Sequence, residues 1–268
     1  MTRPEWAPEG MDLSRPSVAR VYDYYLGGYH NFPADRELAE AVIATYPLTR
    51  AAAKSIRAFL GRAVHHLAAD LGVRQFLDLG SGIPTEGNVH DIVHAVDPTA
   101  KVVYADIDPV AVAHSEAILG DHPNAVVVHA DLRRPDLLLT SPVVTRMLDL
   151  DQPTALLLMS VLHFITDEED PAGIVRQYRE ALGPGSWVGI SHGASEFRPE
   201  TVSTVQKIYD RARTPAIGRN HAEVLALIEG YDLVDPGLVL VEQWQPGRLA
   251  DVEAPERFAV WGGVARAS

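Results

Sequence analysis

From Arg74 onward, short apolar runs alternate with segments of helical pattern, and this alternation restricts the fold more than any other feature of the chain. Strands that alternate with helical segments of ten or more residues form βα units, and these units build a parallel sheet. The runs are apolar throughout because helices cover both faces of such a sheet. We therefore predict an α/β fold with a doubly wound sheet. The runs are RQFLDL, KVVYAD, AVVVHAD, TALLLMS and SWVGISH.

Two more apolar runs, GLVLVEQW and RFAVWGGVARA, follow near the carboxyl end. A turn rich in Pro and Gly separates them and leaves no room for a helix, so we expect an antiparallel hairpin. The prediction is thus a seven-stranded, mostly parallel sheet with a terminal antiparallel hairpin.

The residues ahead of the first run have a different pattern, with apolar positions at helical spacing over residues 14–71. We predict a helical amino-terminal cap over residues 1–72 and an α/β domain over residues 73–268. Glycines and prolines break or start helices, and they divide the cap into several segments. These breaks are expected at Gly27-Gly28, Pro33 and Pro47.

The first strand leads into Asp78-Leu79-Gly80-Ser81-Gly82, and the next helix is expected to start near Thr85. Glycines suit a sharp turn whose backbone approaches a ligand closely. Asp78 can hold the ammonium group of a ligand, whereas dinucleotide-binding turns carry no acid there. A strand–helix turn without a ligand is the alternative. No P-loop pattern is present, and Thr85 stands where a dinucleotide fingerprint has its third glycine.

Acids also end the second and third strands. Asp106 lies where nucleotide-binding α/β folds place a ribose ligand, while its neighbour Asp108 suits a helix N-cap before Pro109. Asp131 can accept from an adenine amino group while the N–H of Leu132 reaches a ring nitrogen; capping a helix is the alternative for Asp131. Since the three acids follow successive strands, they should meet at one edge of the sheet.

Four segments carry a resemblance that extends over residues 14–265. The chain resembles the actinobacterial S-adenosyl methyltransferase family, which has the class I fold and was long carried as a domain of unknown function. The terminal hairpin agrees with that fold. Ile83-Pro84 departs from many class I enzymes, which have a further glycine there, but the family shares this proline. The segments are RPSVARVYDYYLGGYHNFPAD, FLDLGSGIPTEGNVHDI, VVYADIDPVAV and LLLMSVLHFI.

The resemblance implies S-adenosyl-L-methionine as cofactor, with its methionine part at the glycine turn, its ribose at Asp106 and its adenine at Asp131. It also implies that the amino-terminal segment folds over this site. The alternative is that the aromatic residues of that segment only pack the helical cap. The expected cofactor-binding residues are Tyr22, Tyr25, Gly28, Asn31, Asp78, Gly80, Ser81, Gly82, Asp106, Ile107, Asp131, Leu132 and Ser160.

Methyl transfer to a hydroxyl or amine also needs a group that removes a proton. His163, just after the fourth strand, is the first candidate, and the alternative is that it packs against the cofactor without titrating. His192 in the fifth strand is the second. The acids from Asp167 to Asp170 follow Thr166 and are better explained as a capped helix start than as metal ligands, so no metal site is expected.

Composition restricts the partners. The net charge of -13 disfavours nucleic acid, whose phosphates are bound by Lys and Arg. The chain has no cysteine, its longest apolar stretch is far below the roughly 20 residues of a membrane span, and MTRPEWAPEG lacks a signal-peptide core. We therefore expect a cytoplasmic protein without a membrane partner.

These patterns predict a methyltransferase that uses S-adenosyl-L-methionine and acts on a small-molecule acceptor, with an oxygen as the first option for the methylated atom. Two alternatives stay open: a non-catalytic module that binds S-adenosylmethionine, and an NAD-dependent oxidoreductase. The sequence does not identify the acceptor or the oligomeric state.

Overall fold

A mostly parallel sheet with helices on both faces forms the centre of the computed structural model, which describes residues 12–84, 87–212 and 215–268. The main sheet contains β1 (Gln75–Leu79), β2 (Lys101–Asp106), β3 (Ala125–His129), β4 (Ala155–Met159), β5 (Trp187–Gly193), β6 (Tyr231–Leu233), β7 (Val239–Leu240) and β10 (Val260–Ala267). A separate ribbon pairs β8 (Trp244–Gln245) with β9 (Arg248–Leu249).

The strand order is β3-β2-β1-β4-β5-β10-β6. Strands β1 to β5 are parallel, and the order reverses between β1 and β4, which creates the crevice where α/β folds bind ligands. β10 runs antiparallel to both β5 and β6. The predicted doubly wound fold is confirmed.

The terminal hairpin is present but short, because β7 pairs with β10 only through Val239 and Leu240. The pairing of β10 with β5 is longer and extends over all of β5, from Trp187 to Gly193. The described part of the main sheet holds eight strands, one more than the expected seven. The additional strand, β6, is three residues long and forms no apolar run that the sequence pattern singles out.

The helices begin and end largely at the residues that their chemistry requires. Gly27 ends the first helix in a left-handed conformation. Asp108 caps the helix Pro109–Leu119 by accepting from the backbone N–H of Val110 at 2.7 Å. Thr85 lies outside the described residues, and the helix that was expected to start near it begins at Val89. The helices are α1 (Val18–Leu26), α2 (Pro33–Thr45), α3 (Thr49–His65), α4 (Val89–Val96), α5 (Pro109–Leu119), α6 (Pro135–Leu139), α7 (Pro142–Met147), α8 (Pro171–Ala181), α9 (Pro199–Arg211) and α10 (His221–Leu227).

Alternate residues of each strand supply two separate cores, as expected for a sheet covered on both faces. Leu77 and Leu79 pack with α6, α7, α8 and α10, whereas Phe76 packs with α3 and α4 on the other face. Phe59 of α3 is fully buried there and meets Trp244 edge to face at 5.3 Å. The third amino-terminal helix therefore covers the sheet directly. Within the described ranges, every helix is too short or too polar to cross a membrane.

Candidate functional site

A cavity of about 500 Å³ opens at the carboxyl edge of the sheet, where the strand order reverses. This volume falls within the roughly 300–1,000 Å³ that is usual for small-molecule sites. The strand ends form one wall, and α1, α3 and α9 form the opposite wall. Most of the predicted site residues line it, namely Tyr22, Tyr25, Asp78, Gly80, Ser81, Gly82, Asp106, Ile107, Asp131, Leu132, Ser160 and His163.

The glycine turn after β1 lies against the segment that follows β4. Gly80 has a φ of +66°, and a Cβ added to it would lie 2.4 Å from Cγ2 of Val161. Its backbone N–H donates to the carbonyl of Ala105 at 2.8 Å. Both the left-handed conformation and the close contact require glycine at this position. The turn thereby presents bare backbone to the cavity.

Asp78 lies beneath this turn and is only 6% exposed. Burial raises the pKa of its carboxyl to about 7, with a further increase from the negative charge of Asp106 and an opposing effect of the Arg57 charge. The hydroxyl of Ser81 is also buried, and it makes no hydrogen bond within the described chain. A buried carboxyl beside an unpartnered hydroxyl is suited to an ammonium group, which supplies both positive charge and donors.

Asp106, the last residue of β2, accepts backbone hydrogen bonds from Gly82 N–H at 2.7 Å and from Asp108 N–H at 2.8 Å. Burial raises the pKa of its carboxyl to about 6, although the backbone N–H groups of Asp108, Gly82 and Ile107 act in the opposite direction. A carboxylate offers about four lone-pair sites, so Asp106 can accept a further bond. Asp108 is instead occupied as the α5 cap and lies 3.5 Å from Arg20. Asp106, and not Asp108, therefore faces the cavity.

Asp131 follows β3 and has a partner that the sequence analysis missed. Nε of Arg133 donates to the two carboxylate oxygens of Asp131 at 2.9 and 3.0 Å, and Nη2 donates to one of them at 2.6 Å. Nη1 of the same guanidinium donates to the carboxylate of Glu169 at 2.6 Å. Partial burial would raise the pKa of Asp131, but the bonds and charge of Arg133 outweigh burial and lower it. Asp131 is thus an ionised acceptor at the edge of the cavity. The alternative of a helix cap does not apply, because the next helix starts only at Pro135.

The chain after β4 adopts an unusual conformation that brings His163 into the cavity wall. Ser160 has a φ of +55°, which is uncommon for a residue other than glycine and occurs often at functional sites. Its hydroxyl lies 3.1 Å from that of Ser191. A 3₁₀ turn, Leu162–Phe164, follows. Neither ring nitrogen of His163 bonds another described residue, and Nδ1 is fully enclosed.

Arg219 stabilises this turn through hydrogen bonds, and no sequence pattern predicted that role. Its buried guanidinium donates to the carbonyls of Leu162 and Ile165, each at 3.1 Å, and pairs with the carboxylate of Asp167 at 2.5 Å. Burial, aided by the charge of Arg219 and by His192, holds the pKa of His163 well below its usual value of 6.5. The neutral form of His163 is therefore favoured, and a neutral imidazole keeps one ring nitrogen with a lone pair.

His192, the second candidate base, has both ring nitrogens occupied. Nδ1 donates to the carbonyl of Gly193 at 2.9 Å, and Nε2 accepts from Arg219 at 3.1 Å. Burial lowers its pKa to about 4. The ring meets that of His163 at 5.5 Å, edge to face. His192 thus supports the position of Arg219 and has no nitrogen left for proton transfer.

Gly28 and Asn31 lie outside the cavity wall, in the turn between α1 and α2. The Asn31 amide donates to the carboxylate of Asp23 at 2.8 Å and to the carbonyl of Gly28 at 3.0 Å. A Cβ on Gly28 would lie 1.9 Å from an oxygen of Asp23. These residues therefore define the turn that follows Tyr25.

The far side of the cavity is an aromatic and aliphatic chamber between α1, α3 and α9. Tyr22 donates to the carbonyl of Ala53 at 3.1 Å, and the hydroxyls of Tyr25 and Tyr209 lie 3.2 Å apart. The α9 residues of this chamber were not expected, because their helix carries no motif. Its apolar lining includes Val18, Val42, Ile56, Phe164, Val202, Val205, Ile217 and Phe258.

The acidic cluster beyond His163 has structural roles. The carboxylate of Glu169 accepts from the N–H of Thr166 at 2.9 Å, as expected for a capped helix start, and Asp167 pairs with Arg219. No group of three or more His, Asp or Glu among the described residues is arranged to hold a metal ion.

Residues 4–268 match a family described as S-adenosyl methyltransferase. A solved protein of the DUF574 family from Streptomyces avermitilis is 39% identical with a TM-score of 0.90, and the match covers 96% of this chain and 99% of the other. A structure from Thermobifida fusca, described as a candidate methyltransferase, is 36% identical with a TM-score of 0.92. That match covers 99% of this chain and 100% of the other. Among curated proteins, no relative matches the chain.

The plantazolicin methyltransferase BamL, solved with a triazolic desmethyl analogue of its substrate and S-adenosylhomocysteine, is 10% identical with a TM-score of 0.53. That match covers 93% of this chain and 95% of the other. At this identity the likeness concerns the fold alone.

Proposed function

The chain belongs to the S-adenosyl methyltransferase family, and from that premise we propose that it moves the methyl group of S-adenosylmethionine to an oxygen of a small-molecule acceptor. The acceptor occupies the chamber between α1, α3 and α9. One observation carries this proposal: the cavity continues without interruption from the strand ends into an apolar chamber. Family membership decides against an NAD-dependent oxidoreductase.

The cofactor end of the cavity supports this assignment residue by residue. In our proposal Asp78 pairs with the cofactor ammonium, and the bare backbone of Gly80 to Gly82 lies along the methionine part. Asp106 accepts from the ribose hydroxyls through its free lone pairs. Ile107 and Asp131 flank the adenine, and the N–H of Leu132 donates to it. The cofactor thus lies across the switch point of the sheet.

The amino-terminal helices complete the site in this proposal. Tyr22 and Tyr25 face the cavity from α1, and the turn through Gly28 and Asn31 holds them there. Residues 1–72 then act as the cap that closes over cofactor and acceptor, with the α/β domain of residues 73–268 beneath. Ser160, the residue directly after β4, also lines the cavity.

The chemistry requires alignment and removal of one proton. S-adenosylmethionine supplies an electrophilic methyl group when bound. As the acceptor oxygen forms its bond to the methyl carbon, the carbon–sulfur bond breaks and its electron pair remains on sulfur. The proton of the acceptor hydroxyl passes to neutral His163. Among the described residues the neutral imidazole has no hydrogen-bond partner, which supports this role because a charged or bonded ring has no free lone pair.

The net charge of the protein and the size of the chamber both agree with a small acceptor. A net charge of -13 disfavours nucleic acid, whose phosphates are negatively charged. We propose that the protein acts in the cytoplasm, since a chain without cysteine draws no benefit from an oxidising compartment.

The test combines calorimetry with turnover. Purified protein should bind S-adenosylmethionine and S-adenosylhomocysteine and give no heat with NAD. A panel of phenols, aliphatic alcohols and amines, each supplied with S-adenosylmethionine, should then yield S-adenosylhomocysteine and a methylated phenol or alcohol. Tight cofactor binding without product from any compound would favour the alternative of a non-catalytic binding module.

A further inference from the structure

A pair of tyrosines stands in the chamber wall away from the strand ends. Tyr25 of α1 and Tyr209 of α9 each expose only 7% of their surface, and their hydroxyl oxygens lie 3.2 Å apart. Both residues line the cavity. The neighbouring Tyr22 instead donates to the carbonyl of Ala53. The pair therefore differs from Tyr22 in having no backbone acceptor within residues 12–84, 87–212 and 215–268.

Two hydroxyls carry two hydrogens, and a single bond between them uses one. Within the described chain, neither Tyr25 nor Tyr209 makes another side-chain hydrogen bond. One O–H hydrogen thus has no acceptor among the residues that the structure describes. A buried polar group without a partner is costly, and native proteins leave few such groups. The remaining hydrogen requires an acceptor atom from something in the chamber.

The pair adjoins the proposed site of chemistry. The ring of Tyr209 lies 5.9 Å from that of Phe164, and Phe164 meets His163 edge to face at 4.2 Å. Aliphatic side chains of α9 surround Tyr209 on the chamber side, among them Val205. A ligand that touches His163 at one end can therefore lie over Phe164 and reach the two hydroxyls.

We propose that the free hydrogen of the Tyr25–Tyr209 pair donates to a second oxygen of the methyl acceptor, away from the hydroxyl that lies at His163, and that the acceptor is a flat aromatic compound with an oxygen substituent at each end. This inference rests on the proposed function. An ammonium group offers no lone pair to the tyrosines. A carboxylate in this apolar wall is disfavoured, because one hydrogen bond does not compensate for the loss of its hydration. A phenolic oxygen needs one donor and brings a ring that fits the apolar walls.

The experiment measures binding of two matched probes to protein saturated with S-adenosylhomocysteine, so that no turnover occurs. 2,6-Dihydroxynaphthalene carries a hydroxyl at each end, and 6-methyl-2-naphthol has a methyl group of similar size in place of one of them. The dissociation constant of each is measured by naphthol fluorescence and by competition. The variants are Tyr25→Phe, Tyr209→Phe and the double variant. Tyr24→Phe is the control, because it removes a hydroxyl of the same helix that bonds Glu40 outside the cavity.

In the double variant we expect 2,6-dihydroxynaphthalene to lose about tenfold in affinity relative to 6-methyl-2-naphthol, the range of one lost hydrogen bond. Each single variant should lose less, in the same direction, and both remain informative if the double variant does not fold. Tyr24→Phe should keep the wild-type ratio. An unchanged ratio in the variants, or failure of both probes to bind the wild-type protein, overturns the inference. Loss of the proposed function itself would appear differently, as absent binding of S-adenosylhomocysteine.

Discussion

The backbone N–H of Gly82 donates a 2.7 Å hydrogen bond to the carboxylate of Asp106, 24 residues later in the chain. This bond ties the turn after β1 to the end of β2, the two elements that meet the cofactor in our proposal. It also restrains the carboxylate, which lines the cavity. The site is therefore preorganised before any ligand enters, which lowers the entropic cost of binding.

The first prediction concerns the ribose contact. Asp106→Ala should weaken the binding of S-adenosylhomocysteine at least tenfold, because it removes charge-assisted hydrogen bonds to the ribose. Asp108→Ala is the matched control: it should cost at least about 1 kcal/mol of stability, through loss of the α5 cap and of the ion pair with buried Arg20, and leave affinity nearly unchanged. Calorimetric titration measures the affinities. A larger loss of affinity for Asp108→Ala would reverse the assignment of the two acids.

The second prediction concerns the glycine turn. Gly80 and Gly72 both have left-handed backbones, with φ of +66° and +70°, but only at Gly80 would a Cβ meet a neighbour, at 2.4 Å. Alanine should cost about 1–2 kcal/mol in unfolding free energy at each position through backbone strain. Gly80→Ala should in addition displace Val161 and reduce cofactor affinity. Urea denaturation and calorimetric titration separate the two effects, and equal affinities for both variants would contradict the role of the turn.

The third prediction concerns the stability of the ligand-free protein. The folded-state pKa of Asp78, about 7, lies above its unfolded value near 3.8, so the folded protein binds more protons between these limits and stability falls as pH rises through them. Asp78→Asn removes the buried charge. The variant should match the wild type near pH 4 and exceed it at pH 8 by up to about 4 kcal/mol.

Urea denaturation at both pH values measures this difference. Asp136→Asn, at an exposed residue paired with Arg134, is the control and should show little change with pH. The same Asp78→Asn variant should bind S-adenosylhomocysteine more weakly, because the amide lacks the charge that holds an ammonium group. A variant that is less stable than the wild type at pH 8 would contradict the account of Asp78.

The strand ends were predictable because their chemistry is local. Each acid directly follows an apolar run, and parallel strands bring their carboxyl ends to one edge, so Asp78, Asp106 and Asp131 meet in space. The capping role of Asp108 was also predictable. Asp108 precedes a proline at the start of a helix, the usual setting of an N-cap.

The chamber and its supports were not predictable, because they join distant parts of the chain. Tyr25 and Tyr209 are separated by 184 residues, and no sequence motif predicts that they are in contact. Arg219 donates to the backbone carbonyls of Leu162 and Ile165, which lie 57 and 54 residues earlier in the chain. Every residue has a backbone carbonyl, so the sequence does not indicate which one a side chain will bind. The short strand β6 was missed for another reason, since three residues are too few for periodicity to identify.

The fourth prediction concerns Arg219. Arg219→Ala leaves the carbonyls of Leu162 and Ile165 and Nε2 of His192 without their buried donor. We expect a loss of about 2–4 kcal/mol in unfolding free energy, since unsatisfied buried groups are costly. Asp167→Asn is the control, because the Asp167 side chain is 78% exposed and an ion pair there contributes little. Urea denaturation compares the two. Similar losses in both variants would place the stabilisation in the ion pair instead.

The fifth prediction separates chemistry from binding at His163. His163→Ala should keep the affinity for S-adenosylhomocysteine within about twofold and reduce kcat by roughly 10²–10⁴-fold, the usual contribution of a general base. The pKa of His163 lies well below 6.5, so the imidazole is neutral and the wild-type rate should show no histidine limb between pH 6 and 8. His65→Ala, at an exposed residue of α3, is the control for both measurements. Turnover is followed with an acceptor from the phenol panel. If affinity for S-adenosylhomocysteine collapses in His163→Ala, the side chain contacts the cofactor and does not act as the base.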